Sequence, residues 1–149
     1  MTLTPHSEHV RVEATLQSLA RVREALEATL DRVDWPADDE SRLMLAAGEA
    51  VCNAIEHGSV PAGHVDVAID TDAGGLTLVV SDEGDPGRPA RIDAHAAAPP
   101  HSSVRGRGIM IMRELADTLR IEPSGRGVRV TMRFERAAGG VHAARPRVA

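Results

Sequence analysis

Glu49 and Asn53 stand one helical turn apart in the stretch LMLAAGEAVCNAIEHG, residues 43–58. Its Ala, Leu and Met content favours helix, and Gly58 is a natural stop. At 3.6 residues per turn, Glu49, Asn53, Glu56 and His57 share one side, with Met44, Ala47, Val51, Ala54 and Ile55 on the other. A helix apolar over most of its circumference is packed on more than one side. A carboxylate and a carboxamide on such a helix need partners, because burying them unpaired costs several kcal/mol. Two readings are open at this point: a solvent-facing polar stripe, or a ligand whose metal and phosphates satisfy those groups.

Two further segments carry candidate chemistry. Asp82-x-Gly84 falls at the end of an apolar-alternating segment, and Gly106-x-Gly108 stands just before a helical one. Taken singly, the first is an ordinary turn and the second a common helix entry. Their order, spacing and matching secondary structure are more specific than either.

The elements that must hold these residues are legible from periodicity. Val10 and Val12 alternate with Arg11 as a short strand. Residues 15–33 read as an amphipathic helix with the seam Leu16, Leu19, Val22, Leu26 and Leu30, ended by Asp34-Trp35-Pro36. Asp38 or Asp39 is positioned to cap the central helix. Val65, Val67 and Ile69 make a strand, 72–75 a hairpin turn, and 76–82 a second strand whose face Leu76, Leu78 and Val80 also takes Asp82. Residues 84–106 hold four prolines and no sustained period, a long loop of the kind that serves as a lid. A helix at 108–115 follows, with Ile109, Met112 and Leu115 inward, then short strands at Leu119–Ile121 and 128–134. Clean alternation leaves one apolar and one wet sheet face, as in antiparallel pairing. The fold class is therefore a two-layer α/β sandwich, its sheet mixed but mainly antiparallel, covered on one face by helices. Residues 1–136 form one domain, and 137–149 read as a disordered tail.

Composition narrows the function. The chain has 149 residues, a formal net charge of −5, and only Trp35 and Phe134 as aromatics. Interspersed charge and missing aromatics argue against direct nucleic-acid binding. All 17 basic residues are arginine, so lysine chemistry is absent. Cys52 alone excludes an internal disulfide and reads as a structural thiol. The seven histidines lack metal-ligand spacing, which disfavours zinc. His57 reads as structural and Glu56 as solvated. No apolar run reaches the length of a membrane span and no signal peptide is visible, so a cytoplasmic location is expected.

The ordered set Glu49-x-x-x-Asn53, Asp82-x-Gly84, a lid at about 84–107 and Gly106-x-Gly108 resembles the GHKL ATPase superfamily, shared by histidine kinases, gyrase and heat-shock chaperones. Within it the chain is most similar to the small bacterial anti-sigma factor serine kinases, from about Val10 to Phe134. EAVCNAIEHG and RGRGIMIMRELAD are the strongest pieces. The resemblance implies that Asn53 coordinates Mg²⁺ bridging the nucleotide phosphates, and that Glu49 is the general base. It implies that Asp82 accepts a hydrogen bond from the adenine amine, with Gly84 allowing close backbone approach. Gly106 and Gly108 would wrap the phosphates, their amides leading into the helix start. Arg105 and Arg107 either add charge there or are solvated lid residues. Gly87 and Ile109 complete the expected nucleotide-binding positions.

Three positions depart from the family pattern. Pro86 stands where a second glycine is frequent, with Gly87 one place on. Val104 takes the place of an arginine, with Arg105 beside it. Val128 follows Gly127 where Gly-Thr is common, and Thr131 faces the opposite side by alternation. The resemblance implies a serine-protein kinase and anti-sigma factor using ATP and Mg²⁺, with an anti-anti-sigma factor (a STAS-type domain) and a sigma factor as partners, and a homodimer. The alternative is a noncatalytic nucleotide-binding switch that sequesters a protein partner. An ATP hydrolase or a histidine kinase fits less well, since the transducer and phosphoacceptor-helix domains of those relatives have no counterpart in the chain.

Overall fold

Five alternating segments build the sheet, and three apolar helical stripes cover it. The computed structural model describes residues 3–58, 63–84 and 107–136, and for His57 the backbone alone. In chain order the elements are β1 (His6–Glu13), α1 (Ser18–Arg32), α2 (Ala37–Asn53), a π-helical turn (Ala54–Gly58), β2 (His64–Asp72), β3 (Gly75–Asp82), α3 (Arg107–Leu115), β4 (Thr118–Ser124) and β5 (Gly127–Glu135). The strands lie in the order β1-β2-β3-β5-β4. All four pairings are antiparallel, so the parallel minority allowed for above has no counterpart among the described strands.

Register puts the apolar residues of each strand in line. Val10 pairs with Val67, Val67 with Val80, and Val80 with Val130. Val65, Val67, Ile69, Leu76, Leu78, Met132 and Phe134 are buried on this face. The helices meet it through Val22, Leu26 and Leu30 of α1, Leu43, Ala46, Ala50 and Val51 of α2, and Met112 of α3, in one continuous core. Thr131 pairs with Val79 and so lies on the other face, as its alternation required.

Several element boundaries differ from the sequence reading. β1 begins at His6, earlier than the short strand expected around Val10, because β2 pairs with it over its whole length. α1 starts at Ser18, leaving Leu16 outside the helix and 57 % exposed. α2 starts at Ala37 with Pro36 as its N-cap, so neither Asp38 nor Asp39 caps it. Both lie in the first turn instead, with Glu40, where carboxylates favour the positive helix end. Between α1 and α2, Asp34 takes a left-handed φ of 52° and turns the chain so that Trp35 is buried. The central helix does not run unbroken to Gly58: its last five residues widen into the π turn. The expected lid and tail, with Pro86, Gly87, Val104, Arg105 and Gly106, lie outside the described residues.

Candidate functional site

α2 carries Glu49 and Asn53 toward α3, which runs antiparallel to it, so that the start of α3 meets the end of α2. Both side chains are half-buried. A Cβ placed on Gly108 would stand 2.9 Å from Glu49 Oε2 and 3.0 Å from Asn53 Nδ2. Gly108 is therefore a close-contact position, and its missing side chain is what admits both polar groups beneath the first turn of α3. The solvent-facing stripe is thus not what this part of the helix makes. Glu56, past Asn53 in the π turn, is exposed.

The π turn leads directly from Asn53 to a second polar centre. Its last residue, Gly58, lies so close to the Asp82 carboxylate that a Cβ there would overlap it. Asp82 closes β3 on the covered face, and its Oδ1 accepts the amides of Gly84 at 2.9 Å and Val128 at 3.2 Å. Gly84 adopts φ +74°, and a side chain there would run into the Arg126 carbonyl across the β4–β5 turn. Burial pushes the Asp82 carboxyl up, and the two amide hydrogen bonds oppose that shift only in part. Its other oxygen, Oδ2, is the one nearest Gly58.

Other residues around the site behave as follows. Arg107 is exposed at the start of α3, and Ile109 is half-buried beside it. Cys52 is half-buried, less enclosed than a core thiol; burial raises its pKa, with Glu56 and Glu49 adding to the shift. Among the described residues, no cluster of three or more His, Cys, Asp or Glu side chains is set to hold a metal. Also among them, no helix is long and apolar enough to cross a membrane.

Three contributors escaped the sequence reading. Gly58 and Gly127 both press on Asp82, and the backbone of Val128 supplies a donor where its side-chain type gave no hint. Arg42 of α2 was also missed, although its spacing of three from Asp39 is a visible acid–base pair on one helix face.

Glu49 and Asn53 on α2 and Asp82 at the end of β3 thus stand at either end of the π turn. The model of the histidine kinase-like ATPase domain matches residues 12–134, and the chain belongs to that family. Membership implies ATP binding. Among solved structures the chain is similar to the RsbU and RsbW domains of Rv1364c from Mycobacterium tuberculosis, with a TM-score of 0.66 at 22 % identity. That match covers 89 % of this chain and 33 % of the other, so this chain spans about a third of its length. A search of curated proteins found no match.

Proposed function

We propose that the protein binds ATP between α2, the π turn and the β3–β5 end of the sheet, and transfers its γ-phosphoryl group to a serine of an anti-anti-sigma partner. The observation that carries this reading is the convergence of Glu49, Asn53 and Gly108 at one end of the π turn with Asp82 at the other. In this reading Asp82 receives the adenine amine, and the two backbone donors on its Oδ1 support that role. Asn53 is the residue that would hold Mg²⁺, a cation content with few protein ligands beside phosphate oxygens and water. When bound, that ion neutralises charge on the phosphates.

Glu49 accepts the proton of the attacking serine hydroxyl. The serine oxygen forms the new bond to phosphorus as the bond to the departing ADP oxygen breaks. Gly108 keeps the backbone of α3 near enough for its N-terminal amides to face the phosphates. In this reading the unmodified partner is the substrate, and the protein holds a sigma factor once the partner is modified. It acts in the cytoplasm, as a homodimer.

The test is transfer from γ-labelled ATP with Mg²⁺ to the anti-anti-sigma candidate encoded nearest this protein. Label on a partner serine, reduced about 10²–10⁴-fold in Glu49→Ala with ATP affinity retained, supports the kinase. ATP binding without label on any of several candidate partners supports a noncatalytic switch. No ATP binding, with Asn53→Ala indistinguishable from wild type, overturns both.

A further inference from the structure

One densely bonded side chain of α2 is not used by the chemistry above. Arg42 lies two turns before Glu49 on the same face of α2. Its Nε and Nη2 donate to the two oxygens of Asp39 at 2.7 and 2.8 Å. Its Nη1 donates to the carbonyl of Leu115, the last residue of α3, at 2.8 Å and to Asp117 Oδ2 at 3.2 Å. The guanidinium also sits 5.4 Å from the ring centroid of Phe134 in β5. Burial works against the charge, but Asp39 and Asp117 outweigh it and the pKa is raised, so Arg42 stays a cation.

The same corner is bound to the sheet. Asp117 Oδ2 accepts the Glu135 amide at 2.7 Å, and the Asp117 amide donates to the Arg133 carbonyl at 2.8 Å. One guanidinium, with Asp117, therefore joins the first turns of α2, the C-terminal end of α3 and the C-terminal end of β5. α3 has only nine residues, a length at which an isolated helix is marginal. Its place along its own axis depends on what grips its ends. Arg42 grips one end; Gly108 rests on Glu49 and Asn53 at the other.

We propose that Arg42 is a positioning residue, which fixes α3 along α2 and so sets the approach of its N-terminal amides to the phosphate end of the nucleotide. This rests on the nucleotide reading above and adds a determinant that touches no part of the ligand. A cation bonded to the last carbonyl of a helix both satisfies that orphan acceptor and opposes the helix dipole. Lysine cannot replace it: a single ammonium reaches neither the two-oxygen pair with Asp39 nor the second bond to Leu115 at once.

The test compares ATP with adenosine by calorimetry in wild type and Arg42→Lys. Adenosine reads the Asp82 end alone, and ATP reads both ends. In Arg42→Lys the ATP affinity is expected to fall about tenfold with adenosine affinity within about twofold, because only the phosphate end is displaced. A general loosening of the fold would lower both together. If the wild type prefers ATP and the variant keeps the same preference, whether both affinities drop or neither does, the positioning role is wrong and the nucleotide site stands. If the wild type itself shows no preference for ATP, the nucleotide reading fails and this role with it. Should Arg42→Lys not fold, Asp117→Asn loosens the same corner while leaving the Asp39 pair, and the same loss of preference, in smaller measure, is required of it.

Discussion

A Cβ on Gly108 would lie 3.3 Å from Asn53 Oδ1 as well as against Glu49, so alanine there must displace two polar side chains at once. Alanine is preferred to glycine within a helix by up to about 1 kcal/mol. Gly108→Ala is accordingly expected to cut phosphoryl transfer at least about tenfold, since small misplacements of positioned groups are costly. The thermal midpoint holds or rises. Activity and melting measured on the same sample check this, and a parallel fall of both would count against a site role for Gly108. Glu49, Asn53 and Asp82 were legible because their spacing and their places at a helix end and a strand end carry information. The contact of Gly108 with the first two was not, because it joins residues about sixty apart in the chain. Nothing in the letters around Val128 marks its amide as a partner of Asp82 either.

At the scale of elements, the β2–β3 hairpin shows how a turn is fixed from a third strand. Asp72 Oδ1 accepts the amides of Gly74 and Gly75, and its two oxygens take Arg133 Nη2 and Nη1 from β5 at 2.7 and 2.8 Å. The Arg133 guanidinium first, and the Gly74 amide after it, hold the Asp72 carboxyl at about 2, down from an ordinary 3.8. A depressed carboxyl contributes stability that is present above its ordinary value and lost as pH falls through the depressed one. Wild type is therefore expected to lose stability between about pH 4 and pH 2 more steeply than Asp72→Asn, as read by circular dichroism in acid titration. Superimposable slopes would dismiss the pair as a contributor. The hairpin itself was plain in the sequence, since Asp-x-Gly-Gly between two alternating runs is turn chemistry. The π turn was not: it ends where Gly58 packs on Asp82, a contact from another element, while helical periodicity alone continues unbroken through 43–58. The start of α2 was misjudged for a local reason. Acidic residues suit both an N-cap and a first turn, and Pro36 had already taken the cap.

For the molecule as a whole, a core with almost no aromatic rings concentrates weight on the one phenylalanine. Phe134 is fully buried, and its ring lies beneath the Arg42 guanidinium. Phe134→Ala is expected to cost about 3–5 kcal/mol, a large share of the 5–15 kcal/mol typical of a folded domain. Denaturant unfolding followed by far-ultraviolet circular dichroism measures this; a loss below about 1 kcal/mol would mean that the surrounding aliphatic side chains close the space. The two-layer architecture was readable at this scale because alternation and amphipathic period agree along most of the chain. Trp35 adds something of practical use. It is the only tryptophan, the chain has no tyrosine, and its indole is 6 % exposed in the corner between α1 and α2. Its Nε1 has no hydrogen-bond partner among the described residues. Near-ultraviolet absorbance and emission thus come almost wholly from one dry corner, a built-in optical label for the junction from which α2, and with it Glu49 and Asn53, is launched.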